Sequence, residues 1–300
     1  MRAARFYGKE DIRVEEIEEP TCGEGQIKIK PAFVGICCSD LHEYLGGTEY
    51  APRTPHPVTG EKLPITLGHE FSGTILEVGK ACTSGFKNIC YNGGFVGLSG
   101  WGGGLSDACV LSADYAVLLP KNVPLDVGAL VEPLAVGWHA VNLSPLKQDS
   151  SILILGGGPI GIAVILALRA RGCGKILVSE LTTQRQQFAL RFGADSILDP
   201  TRDNVVERVQ EATGQGVDIV FDCAGVAVAL EAACLAIKAR GTVVTIYQEY
   251  RDFKRLLVTG FASPIATGRQ LTIEVSSRLS AADGYTALEP QSLTVRDWRH

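Results

Sequence analysis

The sequence predicts an α/β chain in two parts: a β-rich N-terminal region, then a parallel sheet covered by helices on both faces. Three observations carry this. Between residues 152 and 246, short apolar runs alternate with helix-length segments. A glycine turn, Gly156-x-Gly158-x-x-Gly161, joins the first of those runs to the helical segment that follows. Before residue 120, apolar and polar residues alternate, as they do in strands with one wet face.

The elements follow in order. Ile12-Arg-Val-Glu-Glu and Gln26-Ile-Lys-Ile-Lys30 read as half-buried strands, and glycines and prolines punctuate the region. From Val127 the pattern turns helical, through Ala129 to Ala140. Strands are then expected at Ile152–Leu155, Ile176–Ser179, Ser196–Leu198, Val217–Phe221 and Thr242–Ile246. Helices are expected from the glycine turn to Arg171, and at Thr183–Phe192, Val205–Thr213 and Ala227–Ala239. Gly172, Gly193, Gly214 and Gly241 are read as helix stops. Beyond Ile246 the pattern degrades. Gln270-Leu-Thr-Ile-Glu-Val275 alternates, but no packed element is assigned there, and the last residues are expected to be loosely ordered. The expected domains are 1–140, 141–260 and a tail at 261–300.

The glycine turn has the layout a dinucleotide needs. Gly156 permits a tight turn, Gly158 lets backbone approach a pyrophosphate, and Gly161 lets the helix pack close. Pro159 and Ile160 open a helix whose free N–H groups suit phosphate. Glu180 ends the next apolar run, Lys175-Ile-Leu-Val-Ser179, where an acceptor for a ribose 2′-hydroxyl belongs. Its charge favours NAD over a 2′-phosphorylated cofactor, and Arg185 could soften that preference.

Composition narrows the function classes. The net charge of −5, with Lys and Arg spread along the chain, gives no footprint for nucleic acid. The run from Ile152 to Leu168 is broken by three glycines and a proline, which argues against a membrane span. The N-terminus has no apolar signal core, and nine cysteines without one point to a reducing cytoplasm.

Three upstream segments carry metal-ligand chemistry: Gly35-Ile-Cys37-Cys-Ser39-Asp-Leu-His42, Gly68-His69-Glu70 and Val131-Glu132-Pro133. A thiolate, an imidazole and a carboxylate from separate segments can converge on one zinc and leave a fourth position open. Tyr50 and Trp138 are candidate pocket residues that could equally be core aromatics.

These segments, with Leu67-Gly-His-Glu-Phe-Ser-Gly73, Glu132-Pro-Leu-Ala-Val-Gly137, Leu155-Gly-Gly-Gly-Pro-Ile-Gly161 and Phe221-Asp-Cys-Ala-Gly225, resemble the zinc-dependent medium-chain alcohol dehydrogenases. The similarity is nearest the sorbitol, xylitol and 2,3-butanediol branch and covers roughly residues 1–246. It implies a GroES-like catalytic domain followed by a Rossmann domain. It also implies an NAD-dependent oxidoreductase acting on a secondary alcohol, diol or polyol. Cys37, His69 and Glu70, Glu132 or both in alternation would hold one catalytic zinc, and Ser39 and His42 would relay the proton. A homo-oligomer is compatible with the resemblance.

Two departures set further expectations. The family's four-cysteine lobe should follow Phe86-Lys87, but the chain supplies only Cys90 there, so no structural zinc is expected and a barrel strand is read as deleted. After Ile246 only Leu256-Leu-Val-Thr-Gly260 echoes the family. The competing expectations are a non-catalytic dinucleotide-binding remnant and a zinc-free quinone or enoyl reductase.

Overall fold

The computed structural model describes residues 1–78 and 96–246 apart from Glu24, Val58 and Trp101, together with strands at 271–275 and 292–295. Backbone packing divides the chain into two units, Met1–Glu132 and Pro133–His300.

In the first unit, β1 (Arg2–Gly8), β2 (Asp11–Glu16), β3 (Gln26–Gly35), α1 (Cys38–Gly46), β4 (Ile65–Thr66), β5 (Glu70–Val78), β6 (Cys109–Ser112) and α2 (Leu125–Gly128) follow one another. α3 (Val131–Leu143) begins at its end. The strands form two small sheets, β2-β1-β4 and β5-β3-β6. One core gathers Phe6, Ala51, Ile65, Leu67 and Leu98, and a second gathers Ile27, Cys109 and Leu111. The two predicted strands are present, β3 running to Gly35. The register of β3 with β5 matters most, because it sets Gly35 opposite Glu70 and Val34 opposite Phe71.

The second unit continues with β7 (Ile152–Leu155), α4 (Pro159–Ala170), β8 (Ile176–Ser179), α5 (Thr183–Phe192), β9 (Ser196–Leu198), α6 (Val205–Thr213), β10 (Val217–Asp222), α7 (Ala227–Ala236), β11 (Ile237–Thr245), β12 (Leu271–Val275) and β13 (Ser292–Val295). The described strands line up as β13-β12-β11-β10-β7-β8-β9. All neighbours pair in parallel except β12 with β13. β7 and β8 are buried along their whole length, as a sheet covered on both faces requires. The order reverses between β7 and β10, and the crevice outside their carboxyl ends is where such sheets bind ligands.

Four expectations change. The boundary falls after Glu132 rather than at residue 140, because Gly137 packs against the backbone of Ala163 and Val164, and Ala140 and Val141 join the core of the parallel sheet. α7 stops at Ala236, not Ala239. The buried, β-branched Ile237 pairs with Val217 instead and begins β11. Gly241 therefore stops no helix; it lies inside β11, where a Cβ would meet the Ile237 side chain at 2.4 Å. The alternating segment near residue 272 is a strand, β12, parallel to β11, and β13 borders it, so these two strands belong to the large sheet. The expectations at Leu256–Gly260, at Cys90 and for the deleted strand lie outside the described residues. No helix among the described residues is long and apolar enough to cross a membrane.

Asp218 ties the start of β10 to β7, accepting from Ser151 N–H at 2.8 Å and Ser151 Oγ at 2.7 Å, with Lys238 Nζ against its other oxygen. Partial burial pushes its carboxyl up. The bonds from Lys238 and Ser151 outweigh that and hold it below the ordinary value. Its stabilising contribution is therefore present above the ordinary carboxylate range and lost as pH falls through the folded value. Asp218→Ala is expected to cost about 1 kcal/mol at neutral pH, with the deficit shrinking toward about pH 3; urea unfolding at both pH values checks it.

Candidate metal centre and dinucleotide site

β3 delivers the chain to Gly35, and α1 begins two residues beyond it with Cys37 as its N-cap. A Cβ on Gly35 would lie 2.3 Å from Glu70 Oε2, so only glycine admits that carboxylate. The strand register that opposes Gly35 to Glu70 therefore also brings Cys37 toward His69 and Glu70. Donor atoms of Cys37, His69 and Glu70 lie within 4.8 Å of one another. The glycine-rich stretch 97–104 backs the second segment. Gly104 N–H donates to Gly68 O at 2.8 Å, and Cβ atoms on Gly97 and Gly103 would stand 2.3 Å from the carbonyl oxygens of Gly68 and Leu67. Gly68 itself has φ +101°, which strains any other residue.

One buried carboxylate ties the two segments together. Asp40 Oδ2 accepts the Cys37 N–H at 3.0 Å, and the nearby Gly68 backbone also favours its charged form. Its Oδ1 lies 3.7 Å from His69 Nδ1, both atoms being buried without a hydrogen-bond partner. The other ring nitrogen, Nε2, is 3.3 Å from Ser39 Oγ. Asp40 was not singled out from the sequence. The available signal was an acid three residues into a helix whose cap is Cys37. His42 is half-buried and follows Ser39 by three residues, on the same face of α1.

Burial raises the Cys37 thiol, Ser39 opposes that, and the Glu70 charge adds to it. Burial also raises the Asp40 carboxyl against the pull of His69. Glu132, at the first turn of α3, stands outside the trio of close donors. Its surface is open to solvent but crowded by protein. That crowding raises its carboxyl, His69 pulls it down, and Glu70 and Asp40 push it up. A thiol, an imidazole and up to two carboxylates thus share one locality with no cationic side chain among them. This set suits zinc, with bonds of about 2.0–2.3 Å, and the Asp40–His69 approach has the form of an outer carboxylate orienting a ligating imidazole.

In the second unit, Gly156 has φ +95°, and a Cβ on Gly161 would sit 2.0 Å from Gly156 O, so helix and turn approach as closely as backbone allows. Gly158 caps α4 without a side chain, Pro159 follows at the first helical position, and Ile160 next. A Cβ on Gly158 would meet only Arg185 Nη1, at 3.9 Å, leaving room for a ligand before the helix N-terminus. Glu180 is 5% exposed; its Oε2 accepts the Gly157 N–H at 2.8 Å and its Oε1 accepts from Thr182 N and Oγ1. The acid thus braces the turn itself. Trp138 is half-exposed with the Arg171 guanidinium 5.7 Å from its ring centroid, and Tyr50 donates its backbone N–H to Glu43.

Comparison with known proteins settles the family. Residues 23–121 match the alcohol dehydrogenase GroES-like domain, and residues 159–284 match the zinc-binding dehydrogenase domain. The chain is 42% identical over 267 residues to (R,R)-butanediol dehydrogenase of Bacillus subtilis, covering 82% of this chain and 77% of that one. The chain belongs to the zinc-dependent medium-chain alcohol dehydrogenases. It falls in their butanediol and sorbitol branch: it is also 31% identical to sorbitol dehydrogenase of Bombyx mori, over 81% and 76% of the two chains. The crystal structure of 2R,3R-butanediol dehydrogenase from B. subtilis matches with TM-score 0.80 and 37% identity, over 92% of this chain and 84% of that one. The dehydrogenase match runs to residue 284, so the likeness does not stop at Ile246 as expected.

Gly35→Ala tests the geometry of the enzyme's donor cluster. The clash falls mainly on the end of the Glu70 side chain, so stability is expected to fall by only about 1–2 kcal/mol. Zinc affinity, read by chelator competition, is expected to fall about tenfold or more; unchanged affinity would show that Glu70 is not a ligand.

Proposed function

We propose that the enzyme oxidises small secondary alcohols, vicinal diols or polyols with NAD, using one zinc held by Cys37, His69 and a carboxylate. The observation that carries this is the convergence of the Cys37, His69 and Glu70 donors within 4.8 Å. The names of the relatives support the substrate class. Glu70 is the carboxylate placed among the donors, and Glu132 is near enough to feel their charge and to exchange with it. Zinc supplies charge that lowers an alcohol hydroxyl's pKa toward neutrality, and NAD supplies the hydride acceptor. The protein's own residues do the rest. Asp40 holds the His69 ring and the Cys37 backbone in register. Ser39 Oγ, beside His69, takes up the substrate proton, and His42, on the same helix face, passes it toward solvent.

On the cofactor side, the pyrophosphate is assigned to the N–H groups after Gly158, at Pro159-Ile160-Gly161. Glu180 is assigned to the adenosine ribose, its buried charge opposing a 2′-phosphate, with Arg185 beside the same turn. No structural zinc is proposed, since the sequence after Lys87 offers Cys90 where four ligands are needed. A reducing cytoplasm is proposed from the nine cysteines of the sequence. The proposed partners are the alcohol and further copies of the chain, with neither nucleic acid nor membrane.

The purified enzyme is expected to hold about one zinc per chain and to form NADH from 2,3-butanediol or sorbitol. Cys37→Ser is expected to remove both zinc and turnover, a larger loss than the ~10–100-fold of an outer-shell change. NADH binding without turnover of any such alcohol would instead mean a non-catalytic remnant. Glu180→Gln is expected to raise KM for NAD and narrow the preference over NADP, measured as the ratio of kcat/KM for the two cofactors; an unmoved ratio would remove Glu180 from cofactor selection.

A further inference from the structure

The crevice between β7 and β10 has two walls. One is the glycine turn after β7. The other is the turn Asp222-Cys-Ala-Gly225 that ends β10. Asp222 is fully buried. Its Oδ1 accepts the N–H groups of Ala224 at 3.0 Å and Gly225 at 3.2 Å, and Gly225 takes φ +68° to close the turn. The main chain is fastened on both sides, Cys223 N–H to Leu155 O at 2.9 Å and Ile246 N–H to Asp222 O at 3.0 Å. The two walls touch: a Cβ on Gly156 would lie 3.2 Å from Ala224 N and Cys223 C, and 3.3 Å from Ala224 Cα. The second turn is thus the surface against which the φ +95° turn at Gly156 is seated.

We propose that Asp222 is a positioning residue for dinucleotide binding, holding the 223–225 turn so that the glycine turn keeps the shape that receives the pyrophosphate. This rests on the dinucleotide reading above. A buried charge is costly, and a turn alone could be closed by a neutral acceptor. The bonds from two adjacent N–H groups offset that cost only while the turn is closed. Without the carboxylate those N–H groups, in a half-buried turn, lose the acceptor that closes it, and the turn loosens. Among the described residues the wall it shares with the crevice is the one beneath Gly156, so the loss falls on the cofactor, whereas the donors of the metal cluster come from Met1–Glu132.

The test uses the zinc-loaded enzyme, with NADH fluorescence titration and steady-state kinetics on 2,3-butanediol. Asp222→Ala is expected to raise Kd for NADH and KM for NAD about tenfold, with kcat within about twofold of wild type and zinc content unchanged. Asp222→Asn keeps an acceptor oxygen and is expected to recover most of that affinity. Wild-type-like NADH binding by folded Asp222→Ala overturns the proposal. So does an Asp222→Asn variant as weak as Asp222→Ala, because the turn's acceptor is then not what matters. If Asp222→Ala does not fold, Gly225→Val strains the same turn with the carboxylate intact and must weaken NADH comparably; unchanged affinity overturns the proposal. Wild type failing to bind NADH at all overturns the dinucleotide reading and this inference together.

Discussion

Asp40 sits where two chain segments thirty residues apart must be held to a fraction of an ångström. One oxygen takes the N–H of Cys37, and the other faces the His69 ring. A single side chain thereby fixes a backbone at one end of the donor set and an imidazole at the other. Its position depends in turn on the β3–β5 register, because that pairing sets α1 beside the Gly68–His69 segment. Slipping the register by one residue would turn Glu70 to the opposite face of its strand. Gly35, Gly68, Gly97 and Gly103 are the backbone's part in this arrangement. Each is a place where a side chain would occupy space already taken by Glu70, by Leu105, or by the carbonyls of Leu67 and Gly68.

The parallel sheet solves a different problem. β7 and β8 are buried along their whole length and almost wholly apolar, so burial does most of the work of fixing them. At the amino ends Asp218 ties β10 to Ser151, and at the carboxyl ends buried acids shape the turns. There Glu180 holds Gly157, and Asp222 holds Ala224 and Gly225, two buried acids each closing a turn on its own side of β7. Burying a carboxylate among backbone N–H groups is expensive in general, and it is repaid only when the turn geometry is fixed. The sheet supplies that rigidity, which explains why both acids stand at strand ends rather than on free loops.

How much of this the sequence disclosed follows the range of each interaction. The alternation of five strands with four helices could be read from local periodicity, and the glycine turn from its own spacing. α6 ends as expected at Gly214, and α5 at Gly193. α7 misled because Ala, Ile and Lys suit a helix locally, while Ile237 is claimed by a pairing with Val217, a partner distant in sequence. β12 was recognised as alternating but not placed, since only its pairing with β11 makes it part of the sheet. In the metal cluster, Cys37, His69 and Glu70 were legible as residue types in spaced motifs. Their convergence, and the part played by Asp40, depend on strand register, which leaves no local trace. Glu132 was legible as a carboxylate before proline, but its place outside the close trio was not.

The electrostatics explain why these donors sit together despite the cost. Burial raises Cys37 and Asp40, crowding by protein raises the solvent-exposed Glu132, and Glu70 adds its charge to the pressure on Cys37 and Glu132. Evaluated as a fold alone, such a cluster is a liability: several acids and a thiol crowd together beside an imidazole. Replacing them with apolar residues would relieve the repulsion, and nothing in the packing of the two small cores around Phe6 and Ile27 needs them. A group of this kind is retained where a cation removes the strain it creates, since a divalent ion favours the thiolate and carboxylate forms that burial opposes. The local instability and the proposed chemistry then have one origin. The stronger the protein's resistance to charging these groups alone, the more of a metal's binding free energy goes into displacing their protons, and the more steeply its affinity depends on pH.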